Sequence, residues 1–184
     1  LLVSAWLVQH SDVDAIAWLD WHIMVGQALS LLLAYRTYLL FTPGSGHWRL
    51  LIPTKEQRHI VIQTIKFYAS LGRLPCPDWY AFNPLWQPIY LLLIIIMILT
   101  TISGYFIGNY LFLLGVSMPE LHAFFAAIIL YFTLAHIAFS VLHDVKGNGA
   151  QISAMLNGFK FFQIKEAASP VVENSVSIKD LLKK

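Results

Sequence analysis

The sequence predicts an all-α membrane protein, a four-helix transmembrane bundle, and three observations carry that prediction. Hydrophobic residues make up 58% of the 184 residues and charged residues only 12%, a balance too apolar for an ordinary soluble domain. Three stretches approach or exceed the ~20 residues needed to cross a bilayer. The basic residues are also segregated: all twelve lie at Arg36, between the first and second of these stretches, or after the third.

Taken in order, "LLVSAWLV" at the start is apolar but reaches only about 12 Å at helical rise. No basic segment precedes it and no small-residue cleavage site follows, so it fits a signal peptide poorly. It is expected to be a partial helix over residues 1–9, the tail of a span that begins upstream. The full spans are expected at about 15–41, 84–108 and 119–143. Between the first two lie Arg49, Lys55, Arg58, Lys66 and Arg73, whereas residues 10–20 and 109–120 hold acids and no Lys or Arg. The positive-inside rule makes the basic loop and the C-terminus cytoplasmic. Within that loop, residues 53–72 place Ile60, Val61 or Ile62, Ile65 and Tyr68 loosely on one face, which predicts a short interfacial helix on the inner surface. The segment 163–184 is polar and is expected to form a cytoplasmic tail.

Several chemistries are excluded by what the sequence lacks. It has one cysteine, hence no disulfide framework and no c-type haem attachment pair. No phosphate loop, nucleophile elbow or HExxH pattern occurs. A net charge of +2 without a basic stripe gives no nucleic-acid partner.

The informative residues are histidines inside the spans, because an ionisable group in lipid is costly and marks function. His122 and His136 are fourteen residues apart, so they share a helix face ~21 Å apart along the axis. Two haems stacked across a bilayer need ligands placed in this way, and imidazole is a common axial ligand of haem iron. His22 lies near the outer end of its span, as His122 does, so the two can clamp one haem between them. His136 lies toward the inner side, and its partner is expected from the first helix, upstream of residue 1. Arg36, fourteen residues after His22, falls at the inner haem's depth and suits a propionate. Gly26, one turn inward from His22, would let a flat macrocycle approach the backbone. His143 continues the face of His136 into the headgroup zone, where an interfacial role or proton exchange with quinone is open to it. His10, His47 and His59 are expected at the surface.

The motifs "HIMVGQALSLLLAYR" (22–36), "YAFNPLWQPIYLLLIIIMILTTISGYF" (80–106) and "MPELHAFFAAIILYFTLAHIAFSVLHDVKGNGAQISAMLNGFK" (118–160) together resemble the bacterial cytochrome b561 family. That family includes the b-type cytochrome subunits of membrane-bound nickel–iron hydrogenases, and formate dehydrogenase gamma subunits are similar. The resemblance covers about residues 1–162, a cytochrome b transmembrane domain. One departure is Phe82-Asn83-Pro84, where the family often has His-Asn-Pro. The resemblance implies haem b, two copies in all, with His22 and His122 as the outer iron ligands and His136 serving the inner iron. It implies an electron-transfer subunit of the bacterial cytoplasmic membrane, working between quinone and an iron–sulfur or catalytic redox subunit such as a hydrogenase. Quinone is expected near His136 and His143. Two other functions compete: a proton or metal transporter using the intramembrane histidines, and a haem-free membrane anchor. The transporter reading predicts polar or acidic residues facing the histidines inside the spans; the anchor reading leaves the spacing of the imidazoles without a cause.

Overall fold

The computed structural model describes residues 1–11, 14–79, 82–109 and 111–146. The polar tail 163–184 and the "ISAMLNGFK" motif lie outside them. Five α-helices order the described chain: α1 (Leu2–His10), α2 (Ala15–Phe41), α3 (Arg58–Ala69), α4 (Trp86–Tyr105) and α5 (Met118–Lys146). Three of these, α2, α4 and α5, are long and apolar enough to cross a membrane. They fall where the three expected spans fall, with α4 starting and stopping two to three residues inside its expected limits.

Each helix is bounded by local chemistry. Asn83 opens α4: its side-chain oxygen accepts from the Leu85 amide at 3.0 Å and its carbonyl from the Trp86 and Gln87 amides, which satisfies donors that a helix start leaves unpaired. At the start of α5, the carboxylate of Glu120 reaches back to accept from both the amide (2.9 Å) and the hydroxyl (2.7 Å) of Ser117. This is the returning half of a capping box. Two residues, Leu114 and Gly115, turn β1 (Phe112–Leu113) into antiparallel β2 (Val116–Ser117), with Leu113 opposite Val116. Both turn residues have positive φ, 53° and 82°, as the tightest hairpin turns require.

α5 packs chiefly on α4 and α1 chiefly on α2, while a smaller contact joins α2 to α4. α1 and α2 form an antiparallel pair in which Ser4 meets His22. The long helices expose most of their apolar side chains, the arrangement suited to a lipid solvent, where no hydrophobic force drives helix association.

The closest packing is at the basic end. Phe67, Tyr68 and Trp86 form a core against which Tyr90, Phe132, Phe139 and Leu142 pack. Tyr68 accepts from Asn83 Nδ2 (3.2 Å) and from Trp86 Nε1 (3.1 Å), so α3 is tied to the first turn of α4. The buried face of α3 differs from expectation. Thr64, Phe67 and Tyr68 are buried, while Ile62 and Ile65 are exposed. A consecutive run of branched residues (Ile60, Val61, Ile62) supplies apolar groups on every side, so periodicity alone did not identify the face that packs. Gly72 follows α3 with φ of 76°, and a Cβ there would stand 2.7 Å from Lys146 Cβ and Cγ. Only glycine lets the chain turn this close to the last turn of α5.

Candidate haem sites

Histidines gather at two depths of the bundle. At the end away from the basic loop, α2 presents His22 and α5 presents His122, with ring centres 6.2 Å apart and ring planes at 82°. Imidazole binds a first-row metal at about 2 Å from its nitrogen, so two imidazoles sharing one metal hold their ring centres about 6 Å apart. The observed spacing fits that requirement.

The outer nitrogens of both rings are already committed. Ser4 donates its hydroxyl proton to the Leu1 carbonyl (2.9 Å), so its oxygen accepts from His22 Nδ1 at 3.1 Å. The Thr100 carbonyl, which can only accept, lies 2.9 Å from His122 Nδ1. Both partners therefore select the tautomer with its proton on Nδ1 and a lone pair on Nε2. Metal-binding histidines are held by the same second contact, which fixes the ring and raises its basicity. Gly104 completes the seat of His122: a Cβ there would fall 3.0 Å from its Cε1 and 3.1 Å from its Nδ1. Sequence reading did not single out Ser4, Thr100 or Gly104. A backbone carbonyl leaves no signal in a sequence, and a glycine inside a membrane span has an ordinary helix-packing use. Gly26 faces α1, where a Cβ would meet only Leu1 at 3.8 Å.

Toward the basic end, His136 stands in an aromatic box. Its ring is stacked on Phe132 at 5.7 Å and meets Trp86 at 5.5 Å and Tyr90 at 6.0 Å edge-on. Its Nδ1 is buried without a hydrogen-bond partner among the described residues. A buried, unpaired polar atom is costly and calls for a reason. Tyr90 also lines a cavity of about 270 Å³ whose wall includes Arg36, His47, Phe82, Leu93 and Ile94. Arg36 gives Nη1 to the Gly46 carbonyl at 3.1 Å. Tyr90 thus stands beside both Arg36, on the cavity wall, and His136.

His143 lies in the last turn of α5. It is buried, with Nε2 3.1 Å from Cys76 Sγ and its ring against Phe67, Tyr68 and Trp79. The loop after α3 folds over it, a contact 67 residues away in sequence. Burial pushes the Cys76 thiol from its ordinary 9.0 up to about 11, helped by the Asp78 carboxylate. His59 is exposed as expected, His10 is exposed and bonded to the Trp6 carbonyl, and His47 accepts from the Arg49 amide. Of the aromatics in the spans, Trp21, Tyr105 and Phe124 face outward, and Phe132 packs on His136.

No group of three or more His, Cys, Asp or Glu side chains among the described residues could hold a bare metal ion. Paired imidazoles suit a haem, whose porphyrin supplies the other four nitrogen ligands. Neither a curated protein nor a solved structure matches the chain. The family model described as prokaryotic cytochrome b561 matches residues 1–158. The chain belongs to the prokaryotic cytochrome b561 family and is a membrane b-type cytochrome that binds haem b and carries electrons.

Proposed function

We propose that the chain is a di-haem subunit that carries electrons across the bacterial cytoplasmic membrane between a partner redox subunit and quinone. The observation that carries this reading is the His22–His122 pair: two imidazoles 6.2 Å apart, each tied at Nδ1, each with a lone pair at Nε2. These residues would hold the outer iron, whereas Gly26 borders Leu1 of the α1 segment. His136, ~21 Å from His122 along α5, would hold the inner iron. Arg36 neutralises a propionate there. Haem b supplies reversible one-electron exchange at iron, and the chain's own residues fix its position and potential.

Quinone is placed at the basic end near His136 and His143. The cavity beside Tyr90, whose ring also meets His136, supports that reading, with apolar walls (Leu93, Ile94) and polar side chains from Arg36, Ser45, His47 and Tyr90. The basic loop is cytoplasmic in this reading. An iron–sulfur or catalytic subunit, as in nickel–iron hydrogenases, is the partner of the outer or the inner face.

Haem content per chain and the reduced-minus-oxidised spectrum test the proposal. Two haems are expected in the native protein and one in each of His22→Ala, His122→Ala and His136→Ala. The first two variants should lose the same spectral component and the third the other. Full haem content in both His22→Ala and His122→Ala would overturn the ligand assignment.

A further inference from the structure

The end of the bundle that holds His22 and His122 carries a surface with no role in the haem reading. Between Asp78 and Glu120 the chain has no charged residue. The last part of that run, after α4, builds the β1–β2 hairpin from apolar side chains. Leu111, Phe112, Leu113 and Leu114 are 45%, 67%, 56% and 96% exposed. A contiguous apolar patch of this kind marks an interaction surface. The tip is stranger still. Leu114 adopts φ of 53°, a left-handed conformation that favours Gly, Asn or Asp and penalises a leucine. A strained residue that breaks the local rule points to function.

We propose that this hairpin is a lipid anchor, inserted into the bilayer interface on its own side. Three features favour lipid as the occupant. α4 has twenty residues, which at helical rise spans about the hydrocarbon thickness, so the chain leaves α4 at the membrane boundary. The hairpin continues surfaces that already face lipid, through Ile102, Tyr105, Phe106 and Ile107 on one side and Phe124 on the other. Its backbone is also partly self-satisfied, by the pairing of Phe112 with Ser117 and Leu113 with Val116 and by the Met118 amide on the Leu111 carbonyl at 3.3 Å. Backbone entering an apolar phase needs that pairing. The strain at Leu114 then has a purpose, since it aims the most exposed side chain of the hairpin away from the protein and into the acyl boundary.

The test is spin-label accessibility in the full-length chain, reconstituted in phosphatidylethanolamine–phosphatidylglycerol vesicles with Cys76→Ser as background. A nitroxide at Leu114→Cys should collide more with oxygen than with a water-soluble nickel chelate, as at Leu31→Cys on the lipid face of α2 and unlike Glu56→Cys in the basic loop. Leu114→Asn suits the left-handed turn and so keeps the hairpin folded. In that variant a label at Phe112→Cys should shift toward the nickel reagent. Nickel dominance at Leu114→Cys in the otherwise native hairpin would overturn the proposal. Exclusion of both reagents when a partner subunit is bound would also overturn it, in favour of a protein-docking surface.

Discussion

At the scale of single residues, the second contacts of the histidines matter as much as the histidines. His122 is seated by the Thr100 carbonyl at Nδ1 and by the absence of a side chain at Gly104. Gly104→Ala would bring a methyl carbon to 3.0 Å from the ring, closer than nearly all real contacts, while helix propensity itself would favour alanine. The expected result is loss of the haem component assigned to His22 and His122 with the helical circular dichroism unchanged; retention of that component would show that the ring is not held against α4. Cys76 gives a second residue-scale prediction. Its thiol is pushed up from 9.0 to about 11, which leaves about 100-fold less thiolate at pH 8 than an ordinary cysteine. Alkylation by iodoacetamide should be slowed by about that factor in the folded protein and restored on unfolding. The same shift fixes a sign for stability. The native state keeps the proton longer than the unfolded chain, so this group leaves stability flat below pH 9 and lowers it as pH rises from 9 toward 11. Burial raises Tyr68 in the same direction.

At the scale of elements, α3 is where the fold is decided by tertiary contact. The three spans could be read directly, because twenty apolar residues in a row have few other uses. The packing face of α3 could not, since Phe67 and Tyr68 are buried against Trp86 of α4 and Phe139 and Leu142 of α5 rather than by any local pattern. The burial of His143 was hidden for the same reason, as its cover comes from the loop after α3. The His22–His122 pairing was legible because helix pitch fixes depth, while Ser4 and Thr100 were not, because depth says nothing of which neighbour supplies the second bond. Two substitutions test the α3 docking. Tyr68→Phe removes the acceptor of both Asn83 and Trp86, and an unpaired buried donor costs ~1–3 kcal/mol. Gly72→Ala adds a left-handed penalty of roughly 1–2 kcal/mol, and its methyl collides with Lys146. Each should lower the thermal midpoint in detergent. Ile62→Ala, on the exposed face, should change it little.

At the scale of the whole molecule, charge and cofactor ligands are both sorted along one axis. Among the described residues the cations and the aromatic box of His136 share one end, and His22, His122 and the apolar hairpin share the other. Long helices with few buried side chains cannot hold this order through a dry core. The bilayer supplies it instead, since basic loops resist crossing and apolar faces remain in lipid. The orientation that follows is testable in the Cys76→Ser background. Lys55→Cys, in the basic loop, should react with a membrane-impermeant maleimide only in inverted vesicles, and Ser11→Cys, in the α1–α2 turn, only in right-side-out cells. The reverse pattern would place the His22–His122 pair on the cytoplasmic side and move the proposed quinone site to the opposite leaflet. It would leave the pairing of the two imidazoles intact, because that pairing rests on the helices meeting at matched depth and not on which side the depth is measured from.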